Sequence, residues 1–404
     1  MTFCHYQESL SPHVMPFMRM VVARLGEDEV RYVYTKDMEM ERRGLGWDED
    51  EKPKWTLDLR RYPNEAQEWL ETCPCLLSGC RDLDLFERRS RRSLVTFYSG
   101  ERWFKPISLL NDHIRLPGFL RLLSLRYLRM AYRVRRLLIG RGAFYYLAGG
   151  VWAVQDMVRL VNWLGGDFRQ LYLTCQRTPM GNVTNRGTVL DWIRLAGYFV
   201  TPTTENHEHL CEQQGSILRV LWVGRLLDLK GVDTIIRAVC AYADQRRETQ
   251  IAPNIVLDIY GSGPAEGVLK RMISGYEGIV CFHQTVSIDE VRSLMRKHDV
   301  YVLASNAREG WGAVTNEALE EGMYVMGTYE AGSSATMLND NALFHAGDWK
   351  RLLILLENCL DQKRRGVLKG QGIGEWSVEK GVKHLVNFIN KIKESRDGCP
   401  STGN

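Results

Sequence analysis

Ile217-Leu218-Arg219-Val220-Leu221-Trp222-Val223-Gly224-Arg225-Leu226-Leu227-Asp228-Leu229-Lys230-Gly231 decides how this chain is read. Its first seven residues form an almost unbroken apolar run, the pattern of a short strand buried on both faces. Gly224 ends the run, and a glycine at the carboxyl end of a strand lets the backbone approach a ligand closely. Arg225 and Lys230 then offer two cations in one turn. Ligands of open parallel sheets bind beyond the carboxyl ends of the strands, where paired cations suit a diphosphate. Taken alone, the turn reads equally as a surface loop with two solvated cations.

Working outward, strand and helix alternate. A helical pattern runs from Val232 to about Tyr242, a strand from Ile255 to Tyr260, and Pro264 opens a helix in its first turn. A strand from Ile279 to Phe282, a helix from Ile288 to Lys297 and a strand from Val300 to Leu303 follow. A helix from Ala313 to Glu321 stops at Gly322, and Met323 to Met326 is a fifth strand. This alternation predicts α/β structure with a parallel sheet and crossover helices. The first half is noisier but similar. Strand-like runs are Val30 to Tyr34, Leu94 to Tyr98, Ala143 to Leu147 and Leu171 to Thr174, with the clearest helices at Met15 to Leu25 and Ala153 to Leu164. The polar stretch from Thr201 to Ser216 separates the halves. The expected organisation is two Rossmann-like domains, 1–200 and 201–375, facing across a cleft. A C-terminal helix and tail, 376–404, would pack on either domain, with the tail loose from Ser395.

Two more motifs fall at strand ends. Glu309-Gly310-Trp311-Gly312-Ala313-Val314-Thr315-Asn316-Glu317 follows the Val300 strand and opens a helix. The amides of Gly312, Ala313 and Val314 would lie at that helix's N-terminus, which favours an anion. Glu309 and Glu317 would repel a phosphate, so they suit hydroxyls, and a carboxylate accepts from two at once. In isolation this reads equally as an acidic surface loop. Tyr260-Gly261-Ser262-Gly263-Pro264 is a tight strand-to-helix turn; Pro264 falls where a longer dinucleotide-type glycine motif would continue.

Together, V-G-R-L-L-D-L-K-G-V-D, D-I-Y-G-S-G-P, H-D-V-Y-V-L-A-S and E-G-W-G-A-V-T-N-E-A-L-E-E-G resemble the donor domain of GT-B nucleotide-sugar glycosyltransferases. The retaining family four group is the match, over about Leu218 to Ala346. The resemblance implies that Arg225 and Lys230 neutralise the donor diphosphate. It implies that Glu309 contacts donor-sugar hydroxyls and that Glu317 holds the ribose hydroxyls. Gly224, Gly261 and Gly310 through Val314, with Trp311 and Gly312 among them, would approach sugar and phosphate. The base would lie near His283, which reads equally as a half-buried histidine at a strand end. The first half departs from the family pattern. Where a glycine-rich loop is usual it has Ser9-Leu10-Ser11-Pro12-His13, and no mid-domain histidine is assignable, Trp152 and Asp156 lying in roughly that segment. His13, Arg102 and Lys105 are the acceptor-side candidates.

Composition fits this reading. Of 404 residues, 45% are hydrophobic and 25% charged, which excludes disordered, collagenous and disulfide-scaffold chains. Lysine and arginine number 53 against 49 acids, a net charge of +4. That is too neutral for a dedicated nucleic-acid binder, and no nucleic-acid partner is expected. The charge is uneven: Arg115 to Arg141 holds eight arginines and no acid, interleaved with leucines and aromatics. Such a segment suits an anionic membrane surface or an anionic acceptor, and reads equally as a packed helix with one solvated basic face. Cys73, Cys75 and Cys80 cluster without a second ligand pair at zinc spacing, so reduced thiols in a cytoplasmic chain are expected. No metal and no cofactor are expected, because Arg225 and Lys230 take the cation's role and no D-x-D element is placed to hold a metal against the donor.

The function expected by resemblance is a retaining hexosyltransferase, metal-independent, moving sugar from a nucleoside diphosphate to a saccharide or lipid-linked saccharide acceptor. Bacterial surface polysaccharide or glycolipid assembly is the expected setting. A nucleotide-sugar epimerase of the same fold and a non-catalytic membrane-surface binding protein are the alternatives.

Overall fold

The apolar run that ends at Gly224 is a strand with neighbours on both sides and helices over both faces. In a computed structural model the described residues are 1–11, 14–40, 52–100, 125–139, 143–148, 150, 152–153, 217–372 and 378–397. They fall into two units, the first taking in everything up to 153 together with 378–397, the second 217–372.

The second unit runs β7 (Leu218–Val223), α5 (Val232–Glu248), β8 (Ile255–Tyr260), α6 (Glu266–Met272), β9 (Val280–His283), α7 (Ile288–Lys297) and β10 (Val300–Leu303). It continues through α8 (Val314–Glu320), β11 (Tyr324–Thr328), α9 (Gly332–Met337), β12 (Leu343–Phe344) and α10 (Trp349–Arg364). Every strand pairing is parallel, in the order β12-β11-β10-β7-β8-β9. Leu218, Val220 and Trp222 pack on one face with α5 and α10, while Leu221 packs on the other with Tyr301, Leu303 and Leu319. A strand covered on both faces has no reason to alternate polar and apolar residues, which explains its sequence. Helix starts follow local chemistry: Ser287 and Glu290 form a reciprocal capping box before α7, and Asp348 accepts from the Arg351 amide before α10. One expectation needs correcting. Pro264 does not enter the first helical turn, because Gly263 closes a turn with the Glu266 amide and α6 begins only at Glu266.

The first unit runs β1 (Phe3–Gln7), α1 (Met15–Leu25), β2 (Val30–Tyr34), β3 (Thr56–Asp58), α2 (Pro63–Thr72), β4 (Cys75–Ser78), α3 (Leu83–Arg91), β5 (Val95–Gly100), α4 (Leu125–Ile139) and β6 (Phe144–Ala148). It also holds α11 (Val378–Asp397). Its sheet is parallel throughout, ordered β3-β2-β1-β4-β5-β6. Val382, Leu385 and Ile389 of α11 share a core with Met15, Phe17 and Phe3. Residues 395–397, expected in the tail, are the last turn of α11. The expected elements at 171–174 and 154–164 lie outside the described residues.

Arg89 is fully buried and, among the described residues, donates to uncharged partners. They are the Thr96 hydroxyl, the Cys73 thiol and the carbonyls of Leu70, Cys73 and Val95. It ties α2, α3 and β5 together. The Cys4, Cys73 and Cys75 thiols beside it are free.

Candidate functional site

Both sheets have the doubly wound order 3-2-1-4-5-6 when counted from their own first strand, so each has a switch point where the chain reverses direction across the sheet. In the second unit it lies between β7 and β10, whose register pairs Val220 with Val300 and Leu221 with Tyr301. The turns after β7, β8 and β10 meet there backbone to backbone. The Gly224 amide donates to the Tyr260 carbonyl at 3.0 Å, and the Asn306 amide to the Leu229 carbonyl at 2.8 Å. Gly231 has φ +62°, and a Cβ there would stand 2.1 Å from the Ala304 carbonyl oxygen. A Cβ on Gly261 would stand 1.9 Å from the Gly224 carbonyl oxygen. Only glycine permits these approaches.

This close packing brings Lys230 to Glu309. Lys230 Nζ donates to Glu309 Oε2 at 2.5 Å, with 24% of the lysine and 13% of the glutamate side chain exposed. Ser305 Oγ donates to the same oxygen at 2.8 Å. Two donors on one carboxylate oxygen, largely screened from water, make a fixed charge pair rather than a surface contact. Arg225 differs: it is exposed, and its guanidinium has no partner among the described residues.

The glycine-rich turn is anchored from below. The Gly310 carbonyl accepts from the Gly332 amide, the Trp311 carbonyl from the Ser333 amide, and the Gly312 carbonyl from Ser333 Oγ. Trp311 Nε1 donates to Asn316 Oδ1 at 2.7 Å inside the core. Gly312 has φ +83°. Ala313 caps the seven-residue α8, which Val314 begins and which carries Glu317. Burial, with smaller contributions from the Glu317 and Glu309 carboxylates, pushes the Tyr301 hydroxyl well above the usual range.

His283 stands at the end of β9, half-buried, its Nε2 2.6 Å from Asp258 Oδ1 and its ring stacked on Tyr260 at 4.2 Å. His298 Nε2 approaches the other Asp258 oxygen at 3.1 Å. Burial works to raise the Asp258 carboxyl, but these two histidine contacts outweigh it and hold it below the usual range. Among the described residues no three His, Cys, Asp or Glu side chains gather as a metal site requires.

His13, Arg102 and Lys105 lie outside the described residues, as does Asp156. The first unit has a cavity that sequence reading did not find. About 1090 Å³ in volume, it opens at the carboxyl ends of β1, β2 and β4, at that sheet's own switch point. Tyr6, Glu8, Lys36, Arg81, Asp82 and Arg129 supply its chemistry. Lys36 pairs with Glu8 at 2.7 Å, and Asp82 caps α3 through the Leu85 amide. Arg133 donates to Glu87 at 2.7 Å and also to Asp84, so part of the basic segment is neutralised within its own unit. Recognising β1 in the sequence would have pointed to this place.

Residues 218–362 match the family described as Glycosyl transferases group 1. No curated protein matches the chain. Solved structures match it over nearly its whole length. WaaG, described as a glycosyltransferase involved in lipopolysaccharide biosynthesis, is 16% identical; the match covers 98% of this chain and 100% of that one, with a TM-score of 0.53. Anabaena Alr3699/HepE in complex with UDP is 15% identical, covering 99% and 100%, at 0.55. WaaB, a lipopolysaccharide outer core galactosyltransferase, is 13% identical, covering 97% and 99%, at 0.54. The chain therefore has the GT-B glycosyltransferase fold, and its second unit carries the group 1 segment. Family match and fold together support glycosyl transfer.

Proposed function

We propose that this protein is a retaining glycosyltransferase that moves a hexose from a nucleoside diphosphate sugar to an acceptor hydroxyl without a metal ion. The observation that carries this reading is the Lys230–Glu309 pair at the switch point of the second sheet. An incoming diphosphate competes for Lys230, Arg225 closes on it from the exposed side, and Glu309 is released to accept hydroxyl hydrogen bonds from the sugar. Glu317 takes the ribose hydroxyls, and the backbone from Gly310 to Val314, with Gly224 and Gly261, lines the approach. The base sits near His283. As the glycosidic bond to the donor phosphate breaks, negative charge grows on the leaving diphosphate, and the two cations stabilise it. In the retaining course implied by the family resemblance, that phosphate takes the acceptor hydroxyl's proton on the face where the new bond forms.

The acceptor side falls to the first unit's cavity, whose carboxylates and cations suit a polyhydroxyl ligand. Helix α4 buries Ala131, Val134, Leu137 and Leu138 and turns Leu125, Arg129, Tyr132 and Arg136 to solvent. That basic, apolar outer face suits an anionic membrane surface. No helix among the described residues is long and apolar enough to cross a membrane. The proposed setting is bacterial surface polysaccharide or glycolipid assembly, as the lipopolysaccharide roles named for WaaG and WaaB suggest. The HepE complexes with UDP and UDP-glucose make UDP-sugars the first donors to test.

A thermal-shift screen of nucleotide sugars tests the reading, since a ligand that binds only the folded state at 100 times its Kd adds about 2.7 kcal/mol. A raised melting temperature with one nucleotide class is expected. No shift with any nucleotide sugar would sink the assignment, and isomerisation of donor alone would favour an epimerase.

A further inference from the structure

One largely buried cation beside the helix that carries Glu317 has no role in the chemistry above. Arg292 sits on α7 with 12% of its side chain exposed. Its guanidinium donates to Glu320 Oε2 at 2.9 Å and to Glu321 Oε1 at 2.8 Å. Both acids lie at the end of α8, and Glu321 is fully buried. Arg296, one turn further along α7, donates to the other Glu321 oxygen at 2.8 Å. Glu317 also acts on the Arg292 guanidinium, which burial would discharge but which Glu320, Glu317 and Glu321 hold charged.

Helix α8 has seven residues, too few to be stable alone. Something must fix its rotation, because Glu317 lies three residues before Glu320 and four before Glu321, on the same face. Arg292 grips that face from a neighbouring helix. Burial raises the Glu320 carboxyl to about 7 against the pull of Arg292, with the neighbouring Glu317 and Glu321 carboxylates adding to the rise.

We propose that Arg292 is a positioning residue for donor recognition: by locking Glu320 and Glu321 it sets the rotation of α8 and the placement of Glu317, and thus the affinity for the ribose of a nucleoside diphosphate. The inference rests on the transferase reading above. It assigns Arg292 no contact with the reacting atoms, so it separates affinity from turnover.

The test measures binding of UDP, GDP and ADP in turn to the full chain by calorimetry, and carries the tightest forward. Arg292→Met is expected to weaken that binding about tenfold, and Arg292→Lys, which keeps the charge but loses the fork, about threefold. Turnover at saturating donor should stay within about threefold of wild type in both. Arg296→Met, which leaves the Arg292 grip intact, should change affinity by less than about twofold. A merely structural role would lower the melting temperature and leave affinity and KM alone. If Arg292→Met does not fold, Arg292→Lys decides. Wild-type affinity in a folded Arg292 variant overturns the inference only, as does a loss confined to kcat. A wild-type chain that binds none of the three nucleotides overturns the transferase reading and the inference with it.

Discussion

The two sheets share a strand order and a switch point, yet they finish those points differently. In the second unit, glycines let three turns pack backbone against backbone, so that one lysine and one glutamate meet at 2.5 Å in a largely screened place. In the first unit, charged side chains line an open cavity, and its Glu8–Lys36 pair is more than half exposed at both partners. Topology chooses where a ligand goes; the turns decide whether it meets a rigid electrostatic cradle or an adaptable polar surface. A phosphate leaving group needs the first, since preorganised charge costs no reorganisation during reaction. A polyhydroxyl acceptor is served by the second.

The largest effect that would break this contrast is on turnover. Lys230→Ala is expected to lower kcat by about 10²–10³, the range seen when a preorganised charge stabiliser is removed. Steady-state kinetics with the donor found by the thermal screen measures it, and a loss below tenfold would mean that the rigid cradle does not carry the chemistry. A middle effect sharpens the picture of the first unit. His5 lies buried in β1, where burial pushes its imidazole from 6.5 down to about 3, against a smaller opposing pull from the Leu77 backbone. Below pH 6.5 the unfolded chain takes up a proton that the folded chain refuses until about pH 3. Stability is therefore lost as pH falls through that window, by about 2 kcal/mol at pH 5 from this group. Urea unfolding of wild type and His5→Phe from pH 7 to 4 should show the variant losing less; parallel curves would remove His5 from the account. The smallest effect concerns the outer face of α4. Arg129→Gln with Arg136→Gln should weaken binding to vesicles containing anionic lipid by about 1 kcal/mol per arginine. Sedimentation with the vesicles reads this, and unchanged binding, or none in the wild type, would restrict α4 to its cavity and core.

The same contrast explains what was legible. Strands β7 and β10 are short runs of mostly apolar residues, and β7 and β8 lead directly into glycines, so their ends and the residues beyond them stood out. Strand β1, the equivalent strand of the first sheet, reads Phe3-Cys4-His5-Tyr6-Gln7 and hides behind two polar residues. Burial of a neutral histidine is invisible in a residue pattern, and with β1 unseen the cavity at its end could not be placed. Strand β3, at the edge, has only three residues. Side-chain networks such as Arg292 with Glu320 and Glu321 join positions about 30 apart, and nothing in local spacing announces them.

The position of α11 has a consequence for synthesis. The first unit's core includes Val382, Leu385 and Ile389, made after all the rest of that unit's described residues and after the whole second unit. On the ribosome, the part of that core which α11 covers therefore waits while the second sheet is built. The second unit needs nothing from that helix, whereas the first unit's core closes fully only once α11 has emerged.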